Sequence, residues 1–77
     1  MIPDVVDFKI LSDHKIRVTL STGKTGVFDV TPYLEKGVFT ELKDYNYFKR
    51  ARLALGTIVW PHEQDFAPET IEIKMED

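Results

Sequence analysis

His62, Glu63 and Asp65 fall within four residues. An imidazole with two carboxylates is a donor set that suits a divalent cation. A complete site takes three or four ligands, and His14 is the only other imidazole in the chain. It falls in a predicted hairpin loop with no sequence reason to meet His62. There is no cysteine to supply a thiolate or a disulfide. We therefore expect no metal and no cofactor. Asp65 and Glu69 are of the types that make an acid–base pair, but carboxylates four apart are common on solvated turns. Asp65 has a simpler reading. Pro68 lacks an N–H, so the Asp65 carboxylate is free to accept from Ala67 or Glu69 and cap the turn. No Ser-His-Asp set, lysine nucleophile or glycine-rich phosphate loop is present.

Two charged clusters point to binding instead. Lys43, Lys49, Arg50 and Arg52 interleave with Tyr45, Tyr47 and Phe48. Cations beside aromatic rings suit phosphates and stacked bases. The competing reading is a short amphipathic helix whose aromatic face packs on a sheet, and a pI near 5.3 favours it over nucleic-acid binding. The second cluster is acidic. Residues 1–62 hold nine Lys/Arg and seven Asp/Glu, whereas residues 63–77 hold six Asp/Glu against Lys74 alone. A segment of this kind is either a solvated end or a contact surface for a basic partner. Glu63, Asp65, Glu69 and Glu72 are the candidate contact residues.

The elements that must position these groups read as short strands and turns. Val5–Leu11 is strand-like, with Val6, Phe8 and Ile10 on one face. Lys15–Leu20 alternates, with Ile16, Val18 and Leu20 inward. Ser21-Thr22-Gly23 fits a three-residue hairpin loop. That loop sets Leu20 opposite Lys24, Val18 opposite Gly26, Ile16 opposite Phe28 and Lys15 opposite Asp29. Thr31-Pro32 reads as a helix start with Thr31 as the cap, stopped at Gly37. Asp44 opens a second helix near Tyr45–Arg50, anchored by Phe48. Arg52–Ala54 and Thr57–Trp60 read as a hairpin about Leu55-Gly56, where Leu55 stands in place of the Asn or Asp expected in such a turn. It pairs Leu53 with Ile58 and Ala51 with Trp60. Thr70–Met75 alternates again, with Ile71, Ile73 and Met75 inward. The expected fold is α+β: a small, mainly antiparallel sheet of about six short strands with one or two short helices, as a single domain over residues 1–77.

Gly56 to Glu69 is the most distinctive stretch. Pro61 forces Trp60 out of the helical region, so the only tryptophan closes an extended segment. Trp60, Pro61, Asp65 and Pro68 form a structural signature: strand, sharp exit, capped turn, next strand. Trp60 is expected in the core. No apolar run reaches the ~18 residues of a membrane helix, and Met1–Asp7 lacks the basic start and apolar centre of a signal peptide. A soluble cytoplasmic protein is the expectation.

Taken together, these segments resemble a small bacterial family, domain of unknown function 2442, over nearly the whole chain. The resemblance rests on Leu20-Ser21-Thr22-Gly23, on Asp29-Val30-Thr31-Pro32-Tyr33-Leu34, and on Phe39-Thr40-Glu41-Leu42 with Asp44 and Phe48. Its most specific part is Gly56-Thr57-Ile58-Val59-Trp60-Pro61 followed by Asp65-Phe66-Ala67-Pro68-Glu69. Members often carry Asn-Gly after Trp-Pro, where this chain has His62-Glu63. The resemblance implies a small α+β unit with no assigned enzymatic activity. Some relatives precede a helix-turn-helix domain. Others stand alone beside a second small protein, as in toxin–antitoxin pairs.

The expected function is a non-enzymatic protein-interaction domain, antitoxin-like or regulatory within a two-protein system. A small basic protein and a second copy of the chain are the expected partners, since short open strands leave edges to cover. A small metal-assisted enzyme using His62, Glu63 and Asp65, and a nucleic-acid-binding regulator using Lys49, Arg50 and Arg52, are the alternatives.

Overall fold

Apolar residues at every second position of Lys15–Leu20 (β2) make one face of a strand, and the chain uses it to start a sheet. A computed structural model describes residues 3–76. In it β2 lies between Val5–Leu11 (β1) and Thr25–Asp29 (β3) in a three-stranded antiparallel sheet. The β2–β3 register is the expected one: Val18 faces Gly26, Ile16 faces Phe28 and Lys15 faces Asp29. Gly23 closes the loop at φ 93°, and the Leu20 N–H donates to the Lys24 carbonyl at 2.8 Å. Ile16, Val18, Leu20 and Phe28 are all buried. β1 departs from the expectation at its start. The register shifts between Val5 and Asp7, so Val5 is buried and Val6 is turned out, 51% exposed. Phe8 and Ile10 still pack against the core.

After β3 the chain runs through two 3₁₀ segments, Thr31–Tyr33 and Gly37–Lys43, into a one-turn helix, Tyr45–Phe48 (α1). Thr31 is not the cap of the first. Its N–H donates to Asp29 Oδ1 at 2.9 Å, so the carboxylate two residues earlier takes that role. Gly37, at φ 46°, opens the second 3₁₀ segment rather than simply stopping the first. Asp44 does cap α1, accepting from the Asn46 N–H at 3.0 Å. Leu42 and Phe48 are buried. Arg52–Ala54 (β4) and Thr57–Val59 (β5) form a separate two-stranded sheet, with Leu53 opposite Ile58. The ladder ends at Arg52–Val59, and the Trp60 N–H turns to the Gln64 carbonyl at 2.9 Å instead of continuing toward Ala51. Leu55 and Gly56 sit at φ 54° and 76°, the positive values that a tight two-residue hairpin turn demands.

The sixth strand is a helix. Pro68–Lys74 (α2) replaces the strand expected at Thr70–Met75, so the sheets hold five strands, three plus two. Ile71 and Met75 are four residues apart, a spacing that lies on one face in a strand and in a helix alike. Ile73 separates the two, and it is 68% exposed while Ile71 and Met75 are buried. Local chemistry supports the helix: Pro68 is in the first turn, with Glu69, and Lys74 is in the last. Beyond α2, the Glu76 N–H donates to the Val27 carbonyl and its carbonyl accepts from the Val27 N–H, at 2.9 and 2.6 Å, a single bridge on the outer edge of β3. Gly26 permits this approach, since a Cβ there would lie 2.8 Å from the Glu76 carbonyl oxygen. The mainly aliphatic core between sheet and helices has an aromatic cluster at Phe66. Phe66 stacks on Phe39 at 4.6 Å and meets the edges of Phe28, Tyr33 and Trp60 at 5.0, 5.1 and 5.8 Å.

Candidate functional site

The extended run of β5 ends where Pro61 ends it, and the turn that follows holds the residues singled out by type. Trp60 points inward, buried, with its Nε1–H donating to the Phe48 carbonyl at 2.8 Å. Pro61 and His62 are exposed. Glu63 takes a left-handed φ of 71°, and its N–H donates to the Trp60 carbonyl at 2.9 Å. The chain then returns antiparallel to β5, bridging Asp65 to Val59. Asp65 therefore acts through its backbone. Its carboxylate does not cap the following segment, because α2 has Ala67 at its cap position with no side-chain cap bond. Ala67 is extended, and Pro68 removes one of the first-turn N–H groups that a cap would otherwise serve.

The polar organisation of the turn was not visible in the sequence. Gln64 is 2% exposed and fully engaged. Its Nε2 donates to the Val38 carbonyl at 3.0 Å and to Glu41 Oε1 at 2.8 Å, and its Oε1 accepts from the Tyr47 hydroxyl at 2.6 Å. The same hydroxyl accepts from the His62 N–H at 2.9 Å. Glu41 Oε2 lies 2.7 Å from His62 Nδ1, closing a ring of four residues that passes through the His62 main chain. The His62 imidazole lies over Tyr47 at 5.3 Å. A glutamate holding an imidazole by Nδ1 orients its other nitrogen for proton transfer. No hydroxyl bonds to the His62 imidazole among the described residues, and both partners of the pair are exposed. The ring's evident work is to tie the Trp-Pro turn to the second 3₁₀ segment and to α1.

His62 is thus directed to Glu41, away from a shared site with Glu63 and Asp65. Among the described residues no three His, Cys, Asp or Glu side chains gather as a metal-binding group. Glu63 and Asp65 instead line a shallow depression of about 250 Å³ with Arg52, Leu55, Trp60 and Pro61. Glu69 and Glu72 are not part of it; they sit three apart on α2. The basic cluster is dispersed as well. Lys43 pairs with Glu35 at 2.8 Å, Lys49 lies over the Tyr45 ring at 5.5 Å, and Phe48 is in the core. Tyr47 is spent on Gln64 and His62, so no continuous stacking platform remains among these aromatics.

The family profile described as protein of unknown function (DUF2442) matches residues 5–74. The chain belongs to the DUF2442 family. The match takes in all five strands and both helices of this DUF2442 domain. No curated protein and no solved structure matches it. The turn from Trp60 to Asp65, where this DUF2442 chain carries His62-Glu63, is also where its side-chain hydrogen bonds concentrate. No helix is long and apolar enough to cross a membrane among the described residues.

Proposed function

We propose that this DUF2442 domain is a non-enzymatic interaction module, the regulatory or antitoxin-like half of a two-protein system, and that it contacts a small basic protein. The observation that carries the reading is the tip of the β4–β5 hairpin. Leu55 is 95% exposed and held at φ 54°. A branched aliphatic residue there costs about 1–2 kcal/mol of backbone strain and gains no burial in return. Asn or Gly would serve the fold better. Leu55 does not stand alone: it adjoins Trp60 and Pro61, and an apolar patch rimmed by charge is what marks a contact surface. The depression beside it sets Glu63 and Asp65, against Arg52 alone, around the apolar atoms of Leu55, Trp60 and Pro61. An apolar centre with a charged rim is the usual layout of a protein contact, and the rim's charge selects the partner's sign. Glu69 and Glu72 on α2 add further negative charge to the chain.

The test is co-expression with any small protein encoded beside this chain, purifying through a tag on this chain. Capture is expected at about 0.15 M salt and weaker at about 1 M, since exposed charges are screened. Leu55→Asn should weaken capture while leaving the domain folded. Glu69→Lys with Glu72→Lys should slow association more than it changes dissociation. Capture that survives all of these substitutions would remove this surface from the interface, and failure to capture any neighbour-encoded protein would remove the two-protein reading.

A further inference from the structure

We propose that the solvent face of the β1–β2–β3 sheet is a docking surface for α2 of a second copy, with Lys9 and Arg17 meeting Glu69 and Glu72 around the exposed Ile73. The contact needs no second protein and no residue of the Leu55 depression, so its test is read apart from that of the two-protein proposal.

Alternation along the three strands divides the sheet into two faces. Phe8, Ile10, Ile16, Val18 and Phe28 belong to the core. On the other face every charged residue is exposed, and its cations lack counter-charges. Lys9 on β1 lies directly opposite Arg17 on β2, and Lys15 follows two residues along β2. Like charges directly opposite destabilise a sheet. The two carboxylates of this face are turned to backbone N–H groups. Asp7 Oδ1 accepts from Phe8 and Asp29 Oδ1 accepts from Thr31, each at 2.9 Å. Lys15 is opposite Asp29 in register, yet among the described residues the ion pairs are Lys43–Glu35 and His62–Glu41. Lys9, Lys15 and Arg17 thus present unneutralised charge on one flat surface.

The outer side of α2 has the opposite charge. Ile71 and Met75 are buried, so Glu69 and Ile73, four apart, share the outward ridge, with Glu72 on one flank. Lys74, on the other flank, lines a depression with Asp29 and Glu76 of its own chain. A lone exposed isoleucine needs no special account. Here it stands between carboxylates, and the cationic face has half-buried Leu11 and Val27 among its charges. An anionic ridge with an apolar centre therefore meets a cationic face with apolar ground, and its carboxylates offset the repulsion between Lys9 and Arg17. Nucleic acid would use the same cations, but this face carries no aromatic ring to stack a base, and a net charge of −3 opposes a polyanion. The two patches differ, so the contact is head-to-tail and does not stop at two copies unless a ring closes.

Sedimentation equilibrium on the purified, untagged chain should show reversible self-association, weaker at about 1 M salt than at about 0.15 M. Lys9→Glu with Arg17→Glu should weaken it about ten-fold or more, and so should Glu69→Lys with Glu72→Lys. Mixing these two variants should restore association, and so should all four substitutions in one chain, because opposite signs face each other again. Each is scored on protein that keeps the wild-type far-UV circular dichroism. Ile73→Lys, at an exposed position, gives a further readout: weaker association at an unchanged urea midpoint. A chain that stays monomeric at millimolar concentration overturns the proposal. So does association that neither charge reversal weakens, or that the mixed variants fail to restore. A monomeric chain that binds a single-stranded oligonucleotide through Lys9 and Arg17 also overturns it and gives the face to nucleic acid.

Discussion

Removing the Trp60 ring tests the account of the core most directly. Trp60 is 1% exposed, lies 6.0 Å from Phe48 in a stacked arrangement, and meets the edge of Phe66 at 5.8 Å. Trp60→Ala deletes a side chain that joins the β5 exit to α1 and to the aromatic cluster. Truncations of this size cost about 3–5 kcal/mol. The indole N–H is also the donor to the Phe48 carbonyl, and leaving that buried acceptor alone costs about 1–3 kcal/mol. A chain of 77 residues has roughly 4–12 kcal/mol of total stability. The two losses together approach that whole. With a urea m-value of about 1 kcal/mol/M, the midpoint should fall by several molar, or the variant should be unfolded without denaturant. Trp60→Phe keeps a ring and loses only the donor and part of the volume, so it should fall between wild type and Trp60→Ala. Far-UV circular dichroism is the assay, because Trp60 is the only tryptophan and its fluorescence disappears with it. A Trp60→Ala midpoint within about 0.5 M of wild type would refute the assignment of the ring to the core. Equal damage from Ala and Phe would place the cost in the Nε1–H bond rather than in packing.

Four further outcomes are expected. Ile71→Ala should cost about 2–5 kcal/mol while Ile73→Ala stays within about 0.5 kcal/mol, read as urea midpoints; a strand over these residues would make the two alike. Asp44→Ala should cost about 0.5–2 kcal/mol by removing the α1 cap, and Asp65→Ala should be near neutral, the reverse of what a capping Asp65 would give. Leu55→Asn should raise the melting temperature by relieving the left-handed strain, about 4–8 °C for each kcal/mol gained; a lower value would mean Leu55 is held by contacts within the chain. Gln64→Leu should cost about 1–3 kcal/mol by orphaning the Tyr47 hydroxyl and one Glu41 oxygen, and adding Tyr47→Phe should cost less than the sum, because the two share one network.

Local chemistry was enough wherever one conformation satisfied both pattern and turn. The β2–β3 register followed from alternation and a Gly-containing loop, and it stands residue for residue. Pro61 placed Trp60 at the end of an extended run, and apolar bulk placed it inside. Asp44 capped a helix because its carboxylate needed only the N–H two residues away. Thr70–Met75 lacked such a constraint. Ile71 and Met75 share a face at either period, and only packing decided that Ile73 should point to water. The Asp65 reading failed for a related reason: the return strand engaged its backbone with Val59, and no side chain caps α2. Nothing in the sequence marked Glu41, Tyr47, His62 and Gln64 as one group. Their bonds join residues 15 to 23 positions apart, and no spacing rule reaches that far. The sequence by itself determined the family, the first hairpin and the place of Trp60. The tertiary structure decided which carboxylate met which donor, and whether the last segment coiled or extended, because both depend on surfaces that exist only once distant segments have packed.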